Sequence, residues 1–113
     1  MAYNEILANR IREILADAGV NVFEKKMFSG LSFLVDGKLC VSVAGKDRML
    51  LRLSPEDFEK AVEQNGVTTM QRRGKVMKGY IYTDNELLQN DKNLKRWVNM
   101  ALSYNPIAKS SKK

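Results

Sequence analysis

Residues 31–43, Leu31-Ser32-Phe33-Leu34-Val35-Asp36-Gly37-Lys38-Leu39-Cys40-Val41-Ser42-Val43, decide the fold class. Two short apolar runs flank Asp36-Gly37, a pair that tolerates positive φ and therefore suits a two-residue type I′ hairpin turn. Gly45-Lys46-Asp47 supplies the next turn, before Met49-Leu50-Leu51-Arg52-Leu53, so the hairpin grows into an antiparallel meander. On the N-terminal side, Val22 to Phe28 is a mixed run compatible with one more strand. Partial alternation along these strands predicts one packed face and one wet face.

Helical spacing takes over outside the meander. Leu7, Ile11, Ile14, Leu15 and Ala18 fall on one face of a 3.6-residue period, with Asn4 as N-cap and Gly19 as the stop. Ser54-Pro55-Glu56-Asp57 is the clearest helix start, with a capping serine, proline at the first helical position and acids at the positive end of the dipole. That helix buries Phe58, Ala61 and Val62 and is expected to run to about Asn65-Gly66. Strands are predicted at Thr68–Gln71 and Gly79–Thr83, joined through Arg72-Arg73-Gly74-Lys75. Leu94, Trp97, Val98, Ala101 and Leu102 define a last amphipathic helix that Pro106 ends.

The element order is α-β-β-β(-β)-α-β-β-α, without βαβα alternation. It predicts an α+β fold, an antiparallel sheet with helices packed on one face. Helices are expected near residues 4–18, 55–64 and 91–104, with Leu7, Ile11, Ile14, Phe33, Phe58, Trp97 and Val98 in one core. Residues 1–107 are expected to form a single domain, and 108–113 a disordered basic tail.

The chain has 113 residues, of which 44% are hydrophobic and 28% charged. These values suit one globular core and exclude wholesale disorder. No apolar stretch approaches the length of a membrane span, and the N-terminus lacks the apolar run of a signal peptide. Histidine is absent and Cys40 is the single cysteine. The commonest general base and metal ligand are therefore missing, and neither a disulfide nor a Cys-rich zinc site can form within the chain. A reducing cytoplasm is the expected setting. No catalytic residues, metal site or cofactor are assigned, and the expectation is a non-enzymatic protein.

The charge is uneven. Residues 1–66 hold 9 basic and 10 acidic residues, a net −1, whereas 67–113 hold 10 basic and 3 acidic, a net +7. Arg72, Arg73, Lys75 and Lys78 form the densest group, four cations within seven positions. On a hairpin tip they could hold phosphates, with Tyr80 and Tyr82 nearby to stack on bases. The plainer alternative is a solvated sheet end whose tyrosines cover the sheet. No helix-turn-helix or RNP-like motif is present, so any nucleic-acid binding is expected to be weak and sequence-independent.

Several spaced segments carry a family resemblance. They are the opening helix from Ala2-Tyr3-Asn4-Glu5 to Ile14-Leu15, then Lys25-Lys26-Met27-Phe28-Ser29-Gly30-Leu31-Ser32-Phe33, and Arg48 to Arg52 followed by Ser54-Pro55. Met77-Lys78-Gly79-Tyr80 and Leu94-x-x-Trp97-x-x-x-Ala101 complete the set. In this order, over about residues 2–105, the chain resembles the N-terminal domain of the TfoX/Sxy family, bacterial proteins named for regulators of competence. Ser29 stands where the family often has glycine.

The resemblance implies a compact α+β domain and does not imply an enzyme. In the longer regulators it works beside a C-terminal helical domain, for which this sequence has no counterpart before Lys113, so a stand-alone module is expected. Two functional classes follow. One is a regulatory or interaction module acting through protein contacts, with a second copy of the chain among the candidate partners. The other is a weak nucleic-acid binder using the basic 72–78 loop.

Overall fold

In the computed structural model of the chain, the described residues are 4–27, 30–45 and 48–107. The expected tail at 108–113, the Lys46-Asp47 part of a turn, Phe28 at the end of an expected strand, and Ser29 lie outside them. The element order is α1 (Glu5–Ala18), β1 (Val22–Met27), β2 (Gly30–Val35), β3 (Lys38–Val43), β4 (Met49–Arg52), α2 (Pro55–Ala61), β5 (Val67–Arg72), β6 (Lys75–Thr83) and α3 (Asp91–Tyr104). A short 3₁₀ helix, Asn85–Leu88, precedes α3. The six strands form one antiparallel sheet in the order β1-β2-β3-β4-β6-β5.

The local signals act as chemistry requires. Asn4 Oδ1 accepts from the Leu7 N–H at 3.1 Å, and Gly19 closes α1 in the left-handed conformation at φ 71°. Ser54 Oγ accepts from the Asp57 N–H at 3.2 Å, with Pro55 opening α2. Asn90 caps α3 by accepting from the Lys92 and Asn93 N–H groups. Asp36 and Gly37 adopt φ values of 53° and 80°, the positive pair demanded by the β2–β3 turn.

Helix α2 is shorter than its sequence pattern. It stops at Ala61, and the Glu63 and Gln64 N–H groups bond three residues back, to the Lys60 and Ala61 carbonyls. The chain must uncoil there to reach the sheet edge: Gly66 turns it at φ 87°, and the Asp84 N–H bonds the Gly66 carbonyl at 2.8 Å. Strands β5 and β6 are correspondingly longer than the spans expected, and β6 begins at Lys75 rather than Gly79.

One core holds every residue expected in it. Leu7, Ile11, Phe33, Phe58, Trp97 and Val98 are buried together between the helices and one sheet face, and Ile14 packs at the margin. Cys40 sits in the same core as a small apolar group.

The expected wet face is a correction. Leu50, Ser32 and Ser42 are fully buried on the side away from the helices, and Leu39 nearly so. Leu39, Leu50 and Met70 make a second apolar cluster, with Met77, Tyr80 and Tyr82 packed against it. The Ser32 hydroxyl donates to Ser42 Oγ at 2.9 Å, and the Ser42 hydroxyl to the Leu31 carbonyl at 3.1 Å, so neither buried serine is orphaned. Among the described residues, Met70, Met77, Tyr80 and Tyr82 of the β5–β6 hairpin cover the Leu39–Leu50 centre of this face.

Candidate functional site

The hairpin that carries the predicted basic group is irregular. Between the Thr69–Ile81 and Gln71–Val76 pairs, β5 contributes one residue, Met70, while β6 contributes four, Met77 to Tyr80. Such a bulge bends a strand and re-aims its side chains. Gly79 allows it: its φ is +93°, and its carbonyl accepts from the Leu53 N–H at 2.7 Å.

The bulge divides the four cations assigned from sequence. Arg73, at φ 54°, and Lys75 are exposed at the tip. Arg72 pairs through its backbone with Lys75, and its side chain lies outside the described residues. Lys78 departs from the tip. It reaches a cavity of about 240 Å³ lined by Arg52, Leu53, Pro55, Phe58, Glu59, Gly79, Tyr80 and Tyr104.

The two tyrosines are half-buried and serve the sheet. The Arg48 guanidinium lies 4.2 Å from the Tyr82 ring centroid, and Arg52 lies 5.6 Å from Tyr80 and 5.9 Å from Tyr104. Their inner edges meet the Leu39–Leu50–Met70 cluster. Rings held between an apolar cluster and a cation have little face left for stacking on bases.

Sequence reasoning missed Arg52, Phe58, Glu59 and Tyr104 as members of one pocket. They come from β4, α2 and α3, and only the fold joins them. Gly79, at the start of the predicted strand, was the available signal, since a glycine in a strand marks a bulge or a close backbone approach. It missed a second basic surface too. Lys92, Lys95 and Arg96, at helical i, i+3 and i+4 spacing on α3, line a shallow groove of about 470 Å³ against Asp57 of α2. That spacing was readable.

The remaining candidate groups are quiet. Burial pushes the Cys40 thiol up to about 12, so no thiolate exists near neutral pH. Glu24 is held below the usual carboxylate range by the hydrogen bonds of Arg12, whose Nε and Nη2 donate at 2.6 and 2.7 Å. Among the described residues no His, Cys, Asp or Glu group has a metal-binding arrangement, and no helix is long and apolar enough to cross a membrane.

Three segments that carried the resemblance meet at this pocket: Arg52 at the end of β4, Pro55 at the start of α2, and Lys78-Gly79-Tyr80 in the bulge. The family model described as the TfoX N-terminal domain matches residues 13–104. The chain belongs to that family. The match runs from the middle of α1 to the end of α3, so the whole sheet and the pocket fall inside the TfoX N-terminal domain. No curated protein matches the chain.

Proposed function

We propose that this TfoX N-terminal domain is a non-enzymatic regulatory module that works through protein contacts in the cytoplasm. The observation that carries the reading is Phe23, 64% exposed on the outer strand β1 and followed directly by Glu24, Lys25 and Lys26. An aromatic ring in water with charged neighbours has the composition of a contact site, an apolar centre within a polar rim. Nucleic acid is the weaker reading, because the bulge separates Lys78 from the tip cations and the tyrosines are packed.

Sedimentation over a concentration series, at 50 and 200 mM salt, tests the contact with a second copy. Self-association that survives the higher salt and is lost in Phe23→Ser is the expected result, since apolar contacts are little screened. A parallel titration with duplex and single-stranded DNA tests the competing reading. Four phosphate contacts would give a log–log salt slope of about −3.6, a loss of roughly two orders of magnitude between those salts. Binding with that slope, flattened when Arg72, Arg73, Lys75 and Lys78 are all replaced by glutamine, would put nucleic acid ahead.

A further inference from the structure

The cavity beside the β6 bulge has a more specific chemistry than the surfaces around it. Its floor is apolar: Leu53 is 1% exposed and Phe58 9%. Tyr80 and Tyr104 stand beside it, both half-buried, and Pro55 adds a rigid apolar edge. The charged side chains of its lining are Arg52, Lys78 and Glu59, two cations against one carboxylate. Small-molecule sites have this make-up, an apolar lining with a few polar groups that fix orientation.

The cations differ in kind. The Arg52 guanidinium is within 6 Å of two tyrosine ring centroids, Tyr80 at 5.6 Å and Tyr104 at 5.9 Å, which restricts its plane before any ligand arrives. Lys78 is exposed on a flexible stem and can swing to a second oxygen. A restrained fork beside a mobile point charge suits a planar carboxylate. Glu59, the one carboxylate of the lining, repels a dianion more than a monoanion.

Size narrows the class further. At about 240 Å³ the cavity lies below the roughly 300–1,000 Å³ occupied by drug-sized ligands. One ring or a short chain fills it, and a nucleotide does not. The site is also held in shape independently of any ligand. Gly79 at φ +93° makes the bulge, its carbonyl is tied to the Leu53 N–H, and a Cβ there would stand 3.2 Å from the Leu53 carbonyl oxygen.

We propose that the pocket between β4, α2, the β6 bulge and the end of α3 binds a small flat organic carboxylate. The carboxylate lies between Arg52 and Lys78, and the apolar body rests on Leu53, Pro55 and Phe58. The assignment goes beyond the protein-contact reading and stands if that reading fails, because it rests on other residues.

Amide chemical shifts of the full chain, followed during titration with sodium benzoate, test it. Saturable shifts centred on Arg52, Lys78, Gly79, Tyr80 and Tyr104 are expected, with an affinity on the order of millimolar for a one-ring ligand. Benzamide, which keeps the ring and loses the charge, should bind about tenfold more weakly, and acetate, which keeps the charge and loses the ring, should also bind more weakly. Lys78→Gln should weaken benzoate several-fold, and Glu59→Gln should strengthen it about threefold by removing the opposing charge. Both residues are exposed, so both variants should fold. Absence of saturable shifts up to roughly 20 mM benzoate, well above that affinity, would overturn the site. Shifts centred instead on Lys92, Lys95 and Arg96 would move it to α3. Equal binding of benzoate and benzamide would overturn the carboxylate, and equal binding of benzoate and acetate would overturn the flat body.

Discussion

Leu50 and Leu51 are neighbours in β4, both fully buried, and they point to opposite sides of the sheet. Leu51 lies under the helices with Phe33, Ile81 and Trp97. Leu50 faces the other way, and its cover among the described residues is Met70, Met77 and the tyrosines of the β5–β6 hairpin. One face is closed by separate elements laid across it, the other by side chains of the sheet itself. A helix brings a wide apolar stripe that buries many residues at once. Cover from a hairpin is narrower. It seals the centre around Leu39 and Leu50 but leaves Phe23 in solvent at the β1 margin.

The helix face should be the more sensitive of the two. Trp97→Ala removes the largest fully buried side chain and should cost about 3–5 kcal/mol in denaturant unfolding. A loss below roughly 1 kcal/mol would mean the helices contribute little to closing that face. The indole Nε1 is buried without a partner among the described residues, so Trp97→Phe should be clearly milder than Trp97→Ala.

The direct comparison is Leu51→Ala against Leu50→Ala. Both should fall in the 2–5 kcal/mol range of buried leucines, with Leu50 near the lower end because methionine and tyrosine side chains can shift to fill the gap. A cost for Leu50→Ala under about 1 kcal/mol would return that face to the wet state its alternation implied.

The helix face was legible in the sequence and the hairpin face was not, for a physical reason. Ile11, Leu15, Leu94, Trp97 and Val98 announce themselves by spacing, because a helix keeps its period from cap to cap. Strand alternation holds only while the ladder is regular. It fails between Phe33 and Leu34, where Cys40 is the extra residue and joins Val41 in the same core, and it fails across Met77–Tyr80. Pairing partners across β4 and β6, such as Leu50 with Tyr82 and Arg52 with Tyr80, cannot be read from either strand alone. The pocket was hidden for the same reason, since Arg52, Glu59, Lys78 and Tyr104 share no local pattern.

Gly79→Ala probes the hairpin face through its hinge. Alanine at φ +93° is strained, and its Cβ would press on the Leu53 carbonyl oxygen at 3.2 Å. The expected loss is about 1–3 kcal/mol, with the largest amide shift changes in β6 and at Leu53. A neutral result would show that the bulge can relax into regular pairing, and the separate closure of this face would lose its cause.

The smallest expected effect lies at the rim of the helix face, where Arg12 of α1 grips Glu24 of β1 through two hydrogen bonds. The Glu24 carboxyl is held below its ordinary value of 4.5, mainly by the Arg12 hydrogen bond against a smaller opposing cost of burial. A carboxylate with a lowered folded value stabilises the native state at pH above its unfolded value and loses that contribution as the pH falls through the folded one. Wild type should therefore exceed Glu24→Gln in stability near pH 7, and the gap should close on acidification below about 4.5. Glu24 and Arg12 keep 35% and 40% of their side-chain surface in water, so screening limits the gap to less than about 1 kcal/mol. Unfolding curves of both proteins at pH 7 and pH 3 would measure it, and a gap that stays constant or widens toward pH 3 would exclude the pair as a clamp between α1 and the β1 edge.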